Sequence, residues 1–176
     1  KEHVINNCSF SINKQGLWMI VGENGSGKSS LLKLINGLLK PINGVINNSA
    51  NVGMVFQNPD HQILMPNCWS ELLLNINKKL SRQDIANKID KALNKVGLAG
   101  FHKRPIHTLS GGQKQRLTIA CSLISDNNFV LLDEPTALLD NSSQLKVLEI
   151  IKDLTNNKGN PFTALWITHR LEELCY

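Results

Sequence analysis

Three short segments of the sequence carry residue types that could bind and hydrolyse a polyphosphate, and the first is rich in glycine. It follows the pattern G-x-x-x-x-G-K-[ST], and its residues are Gly22, Glu23, Asn24, Gly25, Ser26, Gly27, Lys28 and Ser29. Glycines let the backbone wrap around a polyphosphate so that N–H groups point at its oxygens. Lys28 would contact the β- and γ-phosphates, and the Ser29 hydroxyl would hold a Mg²⁺ ion. The segment, together with Ser30 after it, is predicted to bind a nucleoside triphosphate.

The residues that flank this loop predict the strand and the helix that such a motif requires. An apolar run over residues 17–21 has the length of a buried strand, and apolar residues recur at helical spacing from Leu31 to Leu38. A helix that begins at the loop would attract anions to its N-terminus. In isolation, the same residues could form only a glycine-rich turn between two core elements.

The second segment puts two acidic residues at the end of an apolar run, residues 129–132. Asp133 suits a Mg²⁺ ion shared with Ser29, and Glu134 stands where it could polarise an attacking water. A strand that ends in solvated acids is common in proteins. We therefore assign these two acidic residues to a nucleotide site because the glycine-rich loop precedes them in the chain.

The third segment consists of Leu109, Ser110, Gly111, Gly112 and Gln113. Apolar residues follow at helical spacing, so Ser110 and the glycines would open a helix with free N–H groups and a hydroxyl. The pattern predicts a second phosphate-binding helix end, too far along the chain to belong to the first loop. The alternative is an ordinary helix cap.

Strand and helix patterns alternate along the chain, which predicts an α/β fold with a mostly parallel sheet. The predicted strands cover residues 4–12, 17–21, 52–56, 129–132 and 163–167. The functional residues follow strand ends, and such sheets bind ligands at the carboxyl ends of their strands.

The middle of the chain differs from the rest. Residues 58–123 are interpreted as a mainly helical subdomain with helices near residues 68–76 and 81–97, where Ser81 and Asp84 form a capping-box pattern. The α/β core would then comprise residues 1–57 and 124–176. Another helix is predicted over residues 143–155.

The composition is that of one globular domain. The 176 residues are 41% hydrophobic, carry a formal net charge of +5, and include no apolar stretch of membrane-spanning length. The four cysteines lack a C-x-x-C pair, which argues against a zinc site and favours reduced thiols in the cytosol. We interpret residues 1–176 as a single, truncated domain.

The three segments together resemble the ATP-binding subunits of ABC transporters, whose signature is the LSGGQ string at residues 109–113. The resemblance covers nearly the whole chain, with the motifs in the family's order, and it identifies the fold as a P-loop NTPase with an ABC-specific helical subdomain. It gives further roles to Gln57 (catalysis and Mg²⁺ sensing), Asp133 (Mg²⁺), Glu134 (catalytic glutamate), His169 (γ-phosphate) and Asp140 (dimer loop).

The resemblance implies an ATP sandwich, in which the signature of one subunit closes on the ATP and Mg²⁺ held by a second ATPase subunit. It also implies a transmembrane partner, a peripheral position on the cytoplasmic side of the membrane, and no nucleic acid. A soluble ABC ATPase of translation or DNA repair is the alternative. A long coiled coil of the repair type does not fit between residues 57 and 109.

A narrower resemblance concerns residues 56–62, FQNPDHQ, which are similar to energy-coupling-factor transporters for vitamins and to cobalt or nickel importers. The exposed His61 in this stretch is expected to bind no metal. The aromatic residue on which the family stacks adenine would precede this chain. Phe10 and Trp18 are expected in the core and not as that platform.

Overall fold

The computed structural model describes residues 4–76, 79–157 and 162–175 and contains a four-stranded parallel sheet. Its strands are β1 (Gly16–Val21), β2 (Val52–Val55), β3 (Phe129–Asp133) and β4 (Thr163–Thr168), in the spatial order β1-β4-β3-β2. The α-helices are α1 (Lys28–Ile35), α2 (Cys68–Leu74), α3 (Arg82–Lys95), α4 (Gly111–Ile124) and α5 (Asn141–Asn156). Short 3₁₀ helices cover Pro59–His61, Ile106–Thr108 and Leu171–Cys175. The predicted α/β fold with a parallel sheet is confirmed.

The two central strands explain why the apolar runs in the sequence are continuous. Residues 130–132 of β3 and 164–167 of β4 are buried on both faces of the sheet. A parallel strand covered on both sides needs apolar residues at successive positions, not at alternate ones. Because all four strands are parallel, their carboxyl ends lie at one edge of the sheet.

The helices predicted near residues 68–76 and 81–97 are confirmed as α2 and α3. Helix α3 illustrates how capping residues determine where a helix begins. Ser81 caps α3 by accepting the Asp84 backbone N–H at 3.1 Å, while its hydroxyl donates to the Asp84 carboxylate at 2.6 Å. The buried face of α3 carries Ile89, Ala92 and Leu93. Helix α4 packs against α2 and α3 on one side and against α5 on another. The helical segment therefore shares one hydrophobic core with the sheet.

The prediction of a strand at residues 4–12 was wrong. No strand is present between residues 4 and 15, and Asn7 has a φ of 49°, a left-handed conformation that interrupts an extended chain. Among the described residues, β1 pairs only with β4 and is an edge strand.

The expectation that Phe10 and Trp18 lie in the core was also wrong. They are 53% and 38% exposed, and the Trp18 indole N–H donates to the Lys14 carbonyl at 3.0 Å. Alternation along β1 turns Leu17 and Met19 toward the main core. Trp18 lies on the other face of this edge strand, where the described residues leave it partly uncovered.

No helix in the described part of the chain combines the length and the apolar character needed to cross a bilayer. All four cysteines are free thiols, and Cys68 and Cys121 are buried. Burial raises the pKa of both of these thiols.

Candidate nucleotide-binding site

The glycine-rich loop connects β1 to α1 and curls around the ammonium group of Lys28. The Lys28 side chain is buried, and its Nζ donates to the carbonyls of Gly22 and Glu23, both at 2.7 Å. Gly25 and Gly27 have φ angles of 83° and 90°, which residues with a Cβ rarely adopt. At Gly27 a Cβ would also lie 2.9 Å from the Val4 side chain. The loop therefore needs glycine at both positions.

Helix α1 begins immediately after this loop. Its first backbone hydrogen bond runs from the Leu31 N–H to the Gly27 carbonyl at 2.9 Å. The amides of Lys28, Ser29 and Ser30 therefore lie in the first turn, where partners come from outside the helix. Glu23, Asn24, Gly25 and Ser26 are exposed at the mouth of the loop. The arrangement suits an anion held at a helix N-terminus.

Ser29 and Asp133 meet across the edge of the sheet, as the sequence predicted for a shared metal site. The Ser29 hydroxyl donates to Asp133 Oδ1 at 2.9 Å, although the residues are 104 positions apart. Burial raises the pKa of Asp133, and the Ser29 hydrogen bond opposes that effect. A hydroxyl beside a buried carboxylate is an oxygen donor set that fits Mg²⁺, which keeps several waters and needs few protein ligands.

Three side chains from different elements converge on the carboxylate of Glu134. Lys28 Nζ lies 3.9 Å from its Oε1, while His169 Nδ1 and Gln57 Nε2 lie 3.0 Å and 3.4 Å from its Oε2. Glu134 has a φ of 44°, in the left-handed region that is costly for a residue with a Cβ. Its backbone N–H donates to the Ile167 carbonyl at 3.0 Å, which holds this turn against β4.

The signature residues begin α4 and are bonded to each other. Ser110 Oγ accepts the Gln113 N–H at 3.3 Å, and Gln113 Oε1 accepts the Ser110 N–H at 3.0 Å, which is a reciprocal capping box. Leu109 and Gly112 are buried, whereas Ser110 and Gly111 are exposed. Among the described hydrogen bonds and ion pairs, none joins this group to the glycine-rich loop.

Asp140, the predicted dimer-loop residue, caps α5. Its carboxylate accepts the Ser143 N–H at 3.0 Å and the hydroxyls of Ser142 and Ser143 at 2.7 Å and 2.8 Å. These hydrogen bonds lower the pKa of Asp140 to about 2. Asp140 therefore has a local structural role within this chain.

One contact, between the signature helix α4 and the segment that carries Gln57, was not predicted from the sequence. Gln115 is fully buried in α4, and its Nε2 donates to the Phe56 carbonyl at 3.1 Å, immediately before Gln57. Lys114 forms an ion pair with Asp60 at 2.7 Å nearby. The helix that begins with the signature is thus fixed to the Gln57 segment. The sequence signal was only a polar residue on an otherwise apolar helix face.

A parallel sheet with a lysine-containing glycine loop between its first strand and first helix defines a P-loop nucleotide-binding domain. The sequence profile of the ABC transporter family matches residues 5–137, which is most of the chain. The chain belongs to the ABC transporter family.

Similar proteins are found in plants and bacteria. ABC transporter I family member 10 of Arabidopsis thaliana is 45% identical over 175 residues, which are 98% of this chain and 65% of that protein. The energy-coupling factor transporter ATP-binding protein EcfA1 of Lacticaseibacillus paracasei is 36% identical over 188 residues, 98% of this chain and 66% of that protein. The chain thus spans slightly less than two thirds of the length of these relatives.

A solved structure extends the likeness to three dimensions. CbiO1 of Clostridium perfringens, described as part of the ABC transporter complex cbiONQ, superposes with a TM-score of 0.85 at 30% identity. The match covers 96% of this chain and 72% of that one. The resemblance to ABC ATPases of the energy-coupling-factor and CbiO type is therefore confirmed.

Proposed function

We propose that this chain is the ATP-binding and ATP-hydrolysing domain of an ABC importer. The observation that carries the proposal is the convergence of Lys28, Gln57 and His169 on the carboxylate of Glu134, beside the buried Asp133. The ends of three strands, β2, β3 and β4, and the N-terminus of α1 supply these groups, as a site for a triphosphate and an attacking water requires.

Binding of the triphosphate would use the loop, the first turn of α1 and Lys28. An ammonium group has three N–H donors, and two of those on Lys28 are taken by the carbonyls of Gly22 and Glu23. The third is available to the β- and γ-phosphate oxygens. The carbonyl contacts hold the charge in place before the ligand arrives, so little reorganisation is needed on binding.

Hydrolysis would depend on groups at the ends of β2, β3 and β4. Ser29, Asp133 and Gln57 would hold Mg²⁺, whose charge offsets that of the phosphate oxygens when it is bound. Glu134 would orient and polarise the attacking water, and His169, held 3.0 Å from that carboxylate, would contact the γ-phosphate. No covalent intermediate is required, because positioning and charge stabilisation supply the catalysis.

A second ATPase subunit would complete the site by contributing its signature helix end to the γ-phosphate. The exposed Ser110 and Gly111 are suited to this role, since they lie at a helix N-terminus and the described side-chain hydrogen bonds of Ser110 stay within its capping box. A transmembrane subunit is the further partner, with the ATPase on the cytoplasmic face of the membrane and no nucleic acid involved. The substrate would be of the vitamin or metal-ion type, a proposal supported by the resemblance of residues 56–62 to energy-coupling-factor transporters and to cobalt or nickel importers.

The competing function is that of a soluble ABC ATPase with no membrane partner. Co-purification of the full chain from detergent extracts separates the two. A transporter ATPase should be recovered with a polytopic membrane protein, whereas a soluble ATPase should be recovered from the cytosolic fraction alone.

The hydrolytic role is tested with Glu134→Gln. The amide keeps the size of the side chain but cannot accept the proton of the water, so turnover should fall on the order of 100-fold or more. Binding of MgATP, measured by calorimetry, should be retained. Glu149→Gln, an exposed residue of α5, is the matched control and should hydrolyse ATP normally. Near-normal steady-state hydrolysis by Glu134→Gln would overturn the assignment.

A further inference from the structure

Glu173 is a buried carboxylate that binds two neutral donors. It is 5% exposed, and its Oε2 accepts the indole N–H of Trp166 at 3.1 Å, while its Oε1 accepts the hydroxyl of Thr136. Thr136 and Trp166 are themselves buried. Within the described residues, no ion pair includes Glu173. Burying a carboxylate costs free energy unless its oxygens accept hydrogen bonds. The positions of these two donors therefore determine where the Glu173 carboxylate is stable.

One donor lies in the turn that carries Glu134, and the other lies in the strand that leads to His169. Thr136 lies two residues after Glu134, in the turn that leaves β3. Trp166 lies in β4, three residues before His169, and Glu173 lies four residues after it in the 3₁₀ helix Leu171–Cys175. The carboxylate therefore connects the segment on either side of His169 to the segment that follows Glu134.

We propose that Glu173 is a positioning residue that holds His169 against Glu134. The proposal rests on the function proposed above. The contact in question joins His169 Nδ1 to Glu134 Oε2 at 3.0 Å, and both residues lie in short turns beyond the strand ends. Thr136 and Trp166 fix the carboxylate on the β3 and β4 sides, and the 3₁₀ helix transmits that position back to the His169 turn.

Loss of the carboxylate would free the His169 turn and leave two buried donors unpaired. A displacement of roughly 1 Å at a reacting group can cost about 100-fold in rate, while ligand binding through the phosphate loop is unaffected. Among the described hydrogen bonds and ion pairs, none joins Glu173 to the loop or to α1, so the expected defect is in kcat and not in the affinity for ATP.

The test compares Glu173→Gln with Glu173→Leu in the full chain. Glutamine can accept the Trp166 N–H through its carbonyl and donate its amide to the Thr136 hydroxyl, which can rotate. Its kcat should stay within about threefold of wild type, because the connection is preserved. Leucine removes both bonds, and kcat should fall roughly tenfold to 100-fold with an ATP dissociation constant changed less than about threefold. Glu172→Leu, at the exposed neighbouring position, is the matched control.

A second measurement does not depend on hydrolysis. The His169 imidazole signals, assigned by their loss in His169→Ala, should shift in Glu173→Leu and stay in place in Glu173→Gln. If wild type fails to hydrolyse ATP, the proposed function is wrong, and these signals still test the positioning role. If Glu173→Leu does not fold, Thr136→Val deletes one donor with the shape of the side chain preserved and should lower kcat in the same direction.

Two results would overturn the proposal. One is a folded Glu173→Leu variant with wild-type kcat and unshifted His169 signals. The other is a loss of kcat in Glu173→Gln as large as in Glu173→Leu, because that would tie the effect to the charge and not to the two hydrogen bonds.

Discussion

The cluster of side chains around Glu134 and the signature at the start of α4 are built in opposite ways. At Glu134 the partners come from the first residue of α1, from the end of β2 and from the end of β4. At Ser110 and Gln113 the hydrogen bonds are exchanged within one helical turn. The Glu134 cluster is thus assembled by contacts between distant elements. The signature is held by local hydrogen bonds and leaves Ser110 and Gly111 exposed. Such a surface is suited to a second subunit.

The largest effect that tests this difference is expected at Ser110. An Asp at this position still caps α4, so the fold should be retained, but its negative charge would repel the γ-phosphate of a neighbouring ATP. Hydrolysis by Ser110→Asp should therefore fall on the order of 100-fold, with binding to isolated subunits nearly unchanged. If Ser110→Asp hydrolyses ATP at the wild-type rate, the signature acts only as a helix cap.

Mixing two inactive variants sharpens the same comparison. In a mixed dimer of Lys28→Ala and Ser110→Asp, one composite site carries both lesions and the other joins an intact loop to an intact signature. Steady-state ATPase assays should show partial recovery on mixing. Each variant alone should stay inactive, because Lys28→Ala removes the charge that meets the phosphates. If ATPase activity does not recover on mixing, either the site is completed within one chain or the two sites of a dimer hydrolyse ATP only together.

A smaller effect, on stability, is expected at Gly112. A Cβ there would lie 2.5 Å from Ser143 Oγ and 2.6 Å from Ser143 Cβ, so Gly112→Ala forces α4 away from α5. Overpacking of this kind costs about 1–3 kcal/mol, measurable by urea denaturation.

Gly111→Ala is the matched control, since its Cβ would meet Leu139 at an ordinary 3.7 Å. Its stability should be close to wild type. Combining Gly112→Ala with Ser143→Gly should recover part of the loss. Equal stability of the Gly111 and Gly112 variants would contradict close packing beneath the signature.

The smallest effect concerns the pH dependence of the cap on α5. The pKa of Asp140 is lowered from its ordinary 3.8 to about 2 by bonds to Ser142 and Ser143. The stabilisation is therefore complete above pH 4 and lost as the pH falls toward 2. Asn also caps helices but does not titrate, so the melting temperature of Asp140→Asn should lack this component. Parallel thermal melts of both proteins between pH 2 and 5 check the expectation.

Local motifs could be read from the sequence, and contacts between elements could not. The glycine loop, the strand before it and the cap at Ser81 each depend on neighbours within a few residues. The Glu134 cluster and the Gln115 link to Phe56 depend on strand order and helix docking, which no local pattern encodes. The prediction of Trp18 as a core residue failed for the same reason. An apolar residue reveals its preference for burial but not whether another element covers it.

The order of the strands has a consequence for how the chain is made. Among the described residues the sheet runs β1-β4-β3-β2, so β1 and β2, which precede the other two strands in the chain, lie at opposite edges and do not pair with each other. Both central strands lie beyond residue 128, and the ribosome must release them before either edge strand has a partner. The phosphate loop, complete at Ser29, is therefore synthesised before the two central strands exist to hold it. Such long-range pairing slows folding and leaves the early apolar strands in need of protection by chaperones.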